Sequence, residues 1–315
     1  MGRIVAKLRR LATIVGRNNE APGNVRPGYG TSMAERKRKP HLPGAMVRGF
    51  LVAVLAILPA VLIPATTPET AQIMLLLAVF AGGIVFAEYA STYPGLIEFR
   101  FAAPFNRTRF LLLALTATFM ALLLRHQSDP GPFSALVQGL ASACFGLLDF
   151  GGSPVRLLTG ALPDALPVRH LAQVGQGAAL TLVIGATTVL GFIAAIRLNV
   201  WPMGKGPFNV WINLPTFDPT AGHDVVLRLL RQARISILLG LLLPFLLPGL
   251  VHASSLLMQP LTLQSPMGFV WGIVLWGYVP VSLVMRGVAM IRVARMIRAN
   301  RRHFADSEAR GYAVA

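Results

Sequence analysis

The chain has 315 residues, of which 54% are hydrophobic and only 13% charged. That is too little charge to wet the surface of a soluble domain of this size, so an ordinary water-soluble globule is excluded. The formal net charge of +17 would suggest nucleic acid in a soluble protein; here the positions of the charges decide its meaning.

Residues 1–45 form a basic tail. Ile4, Leu8, Leu11 and Val15 share one helical face with Arg3, Lys7, Arg10 and Arg17 beside them, the pattern of a helix on an anionic membrane surface. Residues 18–44 turn to Gly, Pro, Asn and charge, a composition expected to be disordered.

Residues 46–285 then read as an all-α membrane domain. Apolar runs with at most one charge each predict six transmembrane helices near 47–64, 71–89, 110–124, 171–196, 235–254 and 267–285. A hydrocarbon layer roughly 30 Å thick takes about 20 residues at 1.5 Å each, and a helix satisfies its own backbone there. Residues 286–315 form a second basic, amphipathic tail, in which Arg292, Arg295 and Arg298 recur every three residues along a leaflet-facing helix.

The segment near 131–150 is ambiguous. Phe133, Leu136, Val137, Leu140, Cys144, Leu147 and Leu148 recur at helical spacing, opposite the small or weakly polar Ser134, Gln138, Gly139, Ser142 and Gly146. Such a helix can lie flat at the interface, re-enter, or span. With six spans, 26 of the 29 lysines and arginines fall on one side, leaving only Arg125, Arg156 and Arg169 opposite. A seventh crossing would carry twelve of those 26 across, so the positive-inside rule favours an interfacial or re-entrant helix. Both termini are then expected to be cytoplasmic. The excess of arginine over lysine hints at a bacterial inner membrane.

Catalytic and metal signatures are weak. Cys144 is the only cysteine, which excludes an internal disulfide and a thiolate cage. The six histidines are scattered, so no metal site is expected, and no motif names a cofactor. No phosphate loop or nucleophile motif is present. The sequence therefore predicts no enzyme. Glu88, at the inner end of the second span, is the nearest approach to an intramembrane ionisable group.

Three further features stand out. Pro59, Pro244, Pro248 and Pro280 interrupt the first, fifth and sixth spans and predict kinks. Gly177, Thr181 and Gly185 form a small-residue stripe for close helix packing. Two inner loops combine aromatics with arginine: Glu88, Glu98, Arg100, Arg107 and Arg109 in the first, Trp201, Trp211, Arg228 and Arg231 in the second. They predict a cytoplasmic surface for an anionic lipid headgroup or a protein partner. Anionic lipid and topology account for the basic excess without nucleic acid. A non-catalytic accessory or scaffold subunit of a membrane complex is the reading favoured. The alternative is a transporter of a lipid or small amphipathic solute around the proline-kinked helices, and a headgroup enzyme using Glu88 and Glu98 is a third.

Overall fold

Apolar runs with capped ends become eight helices among the residues described by the computed structural model, which are 42–64, 66–92, 95–198, 201, 202, 213–215, 217, 224–255 and 261–313. They are α1 (Leu42–Leu62), α2 (Pro68–Ala90), α3 (Phe105–Ser128), α4 (Pro132–Leu148), α5 (Pro154–Gly160), α6 (Val168–Arg197), α7 (Val225–Ser255) and α8 (Pro266–Ala313). All but α4 and α5 are long and apolar enough to cross a membrane, which makes the chain a multi-pass integral membrane protein with six candidate spans. The expectations placed on residues 1–41 and on Trp211 lie outside the described residues.

Local chemistry starts the helices. Thr67 caps α2 by accepting from the Thr70 N–H, with Pro68 in the first turn and Glu69 beside the positive helix end. Ser153 does the same for α5 at the Arg156 N–H, 3.1 Å away.

The spans run up and down. On one face Glu98 meets Arg286, the Trp201 indole meets Ala102, and Asp224 meets Arg301. On the other, His126 meets Ser134 and His170 meets the Thr262 carbonyl. We call the first the basic face and the second the distal face.

Glycines set how closely the spans approach. A methyl group on Gly49 of α1 would sit 2.7 Å from the Gly82 carbonyl of α2, and one on Gly82 would meet the Gly49 carbonyl at the same distance. Backbones this close gain van der Waals contact that lipid tails cannot replace. Gly49→Val is therefore expected to force α1 and α2 apart and cost about 1–3 kcal/mol. Thermal unfolding in detergent, followed by reaction of the sole cysteine with a maleimide dye, checks this; an unchanged melting temperature contradicts it.

Helices α6 and α8 run parallel, locked over three turns. Ile273 packs on Gly177, Thr181 on Gly277 and Val281 on Gly185, each pair displaced by the same number of residues. The stripe 177/181/185 thus mates with a helix of the same chain.

Helix α7 runs antiparallel to α8. Gly240 lies against the Pro280 carbonyl and Gly287 against the Ala233 carbonyl, while Asp224 pairs with Arg301. Pro59, Pro244, Pro248 and Pro280 are all buried, and at Gly240 the two proline-bearing helices are in close contact. The Arg301 hydrogen bond, then the Val226 amide, hold the Asp224 carboxyl below the usual carboxylate range. That tie is present at neutral pH and lost as pH falls through the lowered value.

At 48 residues, α8 is about 72 Å long, more than twice the hydrocarbon thickness. Past Arg286 it continues as the same helix. The face carrying Ala289, Met290, Val293 and Ala294 is fully buried in a core with Val226, Leu229 and Ala233 of α7. The second tail accordingly begins as one arm of a helical hairpin, with its apolar stripe turned to α7.

The short apolar helix α4 crosses α6. Between Gln138 and Phe145, about 10 Å of helix, its contact on α6 moves only from Gln176 to Gly175. Its start is tied to the distal end of α3 through Ser134 and His126. This places α4 across the distal ends of the spans as the extra, non-spanning helix.

Candidate functional site

The loop 91–104 is held by the end of α2. The Glu88 carboxylate accepts from the N–H groups of Gly95 (3.1 Å), Leu96 (3.0 Å) and Ile97 (3.2 Å), folding the loop around itself. Arg100 reaches back in the opposite sense, donating to the Glu88 carbonyl and, at 2.8 Å, to the Ser91 carbonyl. Its guanidinium lies 4.7 Å from the Phe101 ring centre. Glu88 and Arg100 are thus joined through the backbone as well as by charge.

Glu98 faces the other way. Its carboxylate takes both branches of the Arg286 guanidinium, at 2.6 and 2.8 Å, and Arg286 also donates to Ser236 Oγ at 2.9 Å. The pair is largely shielded, with side chains 14% and 22% exposed. A loop, α7 and α8 are pinned at one point by charge-assisted, bidentate bonding.

The second loop packs onto the first. Trp201 is fully buried, and its indole N–H donates to the Ala102 carbonyl at 3.0 Å. Its ring meets Phe99, Phe105 and Phe192 at centroid distances between 5.4 and 6.4 Å. Asn213 accepts from the Phe99 N–H through its carbonyl and from the Phe101 N–H through Oδ1. Phe99 itself has φ of 54°, a left-handed backbone costly for a bulky residue, and burial of its ring in this cluster holds it there. The described parts of the two loops therefore form one folded platform with its own aromatic core.

The remaining sequence-predicted residues are spread around this platform. Arg228 stacks 4.9 Å from the Phe217 ring. Arg107 and Arg231 are exposed. Arg109 lies between the rings of Phe105 and Tyr278, at 5.7 and 5.6 Å. Three residues not singled out from sequence join it: Arg48 of α1 sits 4.7 Å over the Tyr89 ring, and Tyr278 of α8 closes the side. Arg48 was the one visible signal, a lone cation inside the first apolar run.

A groove of about 270 Å³ lies between α3 and α6 toward the basic face. Pro104, Thr108, Leu111, Leu115, Thr188 and Phe192 line it. Both threonine hydroxyls donate to their own helix, to Pro104 and Ile184 carbonyls, so the groove is apolar. Among the described residues no three His, Cys, Asp or Glu side chains gather into a metal-binding group. Comparison of the chain with protein-family models, with curated proteins and with solved structures finds no match.

Proposed function

We propose that the chain is a non-catalytic accessory or scaffold subunit of a membrane protein complex, presenting its basic face to a partner. The observation that carries this reading is the platform itself. Its polar side chains Glu88, Glu98, Arg100 and Arg286 are committed to holding loops and helices together. Beyond it projects the α7–α8 hairpin, whose Arg231, Arg234, Arg295, Arg298 and Arg302 are exposed. A rigid platform beside an exposed basic hairpin suits an acidic protein surface. On this reading the basic face is cytoplasmic, in a bacterial inner membrane, because lysine and arginine collect on that side.

The test is purification of the tagged protein from its own membranes in mild detergent, followed by mass spectrometry of what stays bound. Stoichiometric protein partners support the proposal. A protein that emerges alone from every gentle detergent counts against it. The groove between α3 and α6 favours a second reading, transport of a lipid or small amphipathic solute. Flux above that of empty liposomes, abolished by Gly191→Trp in the groove wall, would move the assignment there.

A further inference from the structure

We propose that Arg48, Arg100 and Arg109, gathered around Tyr89, form a binding site for the phosphate of an anionic phospholipid in the leaflet on the basic face. The three guanidinium groups come from α1, the loop and α3: Arg48 lies 4.7 Å over the Tyr89 ring, Arg100 donates to the carbonyl of the neighbouring Glu88, and Arg109 lies by the Phe105 and Tyr278 rings. The charges of all three reach Tyr89, although they lie far apart in sequence.

Like charges brought together need a counter-anion, and the described residues supply little of one. Among the described residues, none of the three arginines forms a salt bridge. Glu98 belongs to Arg286. Glu88 acts by charge on Arg100, and its oxygens are taken by three backbone amides. Arg100 Nε and Arg109 Nε are buried without a hydrogen-bond partner. Arg100 is anchored by carbonyls and contributes mainly its charge. Among the described residues Arg109 makes ring contacts and no hydrogen bond, and Arg48 uses one nitrogen for the Gly44 carbonyl, so these two keep donors for a ligand.

The level in the membrane selects phosphate on a lipid over phosphate in solution. Arg48 lies in the second turn of α1, Tyr89 in the last turn of α2 and Arg109 in the second turn of α3, with Phe101, Phe105 and Tyr278 around them. Aromatic rings and arginines at helix ends mark headgroup depth. Below and beside the cluster, Met46, Val47, Phe50 and Leu96 are exposed apolar surface against which acyl chains can lie. Arginine's planar fork binds phosphate oxygens in pairs, which a single surface lysine cannot do.

The experiment uses the full-length protein, delipidated in detergent and titrated with phosphatidylglycerol, phosphatidylcholine or inorganic phosphate, with bound lipid read by native mass spectrometry. Phosphatidylglycerol should bind at least about tenfold more tightly than phosphatidylcholine, because both carry the phosphodiester but the cationic choline is repelled by the arginine cluster. In Arg48→Gln/Arg109→Gln that preference should vanish, while Arg107→Gln, an exposed arginine outside the cluster, keeps it. Arg48→Lys/Arg109→Lys should restore part of it, which a merely misfolded double variant would not permit. Equal binding of the two lipids by the parent protein overturns the proposal. So does a preference that survives in the double glutamine variant, and so does inorganic phosphate competing as tightly as the lipid.

Discussion

Replacing Glu98 by glutamine is expected to destabilise the solubilised protein by about 3 kcal/mol, because it leaves the largely shielded Arg286 without its counter-charge. At roughly 2–4 °C per kcal/mol for a protein of this size, the melting temperature should fall by about 6–12 °C. Arg286→Met should cost a comparable amount, and the double variant Glu98→Leu/Arg286→Met less than the sum, since two apolar residues leave no orphaned charge. Reaction of Cys144 with a maleimide dye on heating reads all of them. Additive losses would mean that the pair carries no coupling and that the loop is held by the aromatic core alone.

Trp201→Ala is the second large effect, about 3–5 kcal/mol, because it empties the centre of the platform and strips the Ala102 carbonyl of its donor. Trp201→Phe keeps a ring among Phe99, Phe105 and Phe192 and should lose only about 1–2 kcal/mol. That ordering separates a core residue from a docking residue. An alanine variant that melts like the parent yet loses its partners would place Trp201 on the recognition surface instead.

Hydropathy alone made the six spans legible, because a helix in hydrocarbon must be long and apolar whatever it packs against. It could not give their ends. The sequence ends the last span at 285 and continues its helix along the leaflet; in the structure Met290, Val293 and Ala294 of that continuation pack on Val226, Leu229 and Ala233 instead. A helical stripe of that spacing looks the same whether it faces lipid or another helix. The stripe 177/181/185 could be read, yet its mate on α8 required the register that only the fold supplies. The close approach of Gly49 and Gly82 carried a faint signal too, since Gly49 and Ala53, and Ala78 and Gly82, stand four residues apart.

The candidate site was legible as residue types and not as pairings. Arginines and aromatics in two loops predicted a platform, but nothing local ties Glu98 to Arg286 across 188 residues or Trp201 to Ala102 across 99. Once those contacts form, the two acids look inward to structure. Exposed or unpaired charge is left at Arg48, Arg107 and Arg109 and along the α7–α8 hairpin.

Everything on the basic face depends on six crossings with α4 lying across the distal ends. Single cysteines placed at exposed positions in a Cys144→Ser background, and probed in intact cells with a membrane-impermeant maleimide, test this directly. Gln127→Cys and Gly151→Cys flank α4 and should react from the same side, while Arg107→Cys and Arg302→Cys should both react from the other. Positions 127 and 151 reacting from opposite sides would make α4 a seventh span and dismantle the basic face.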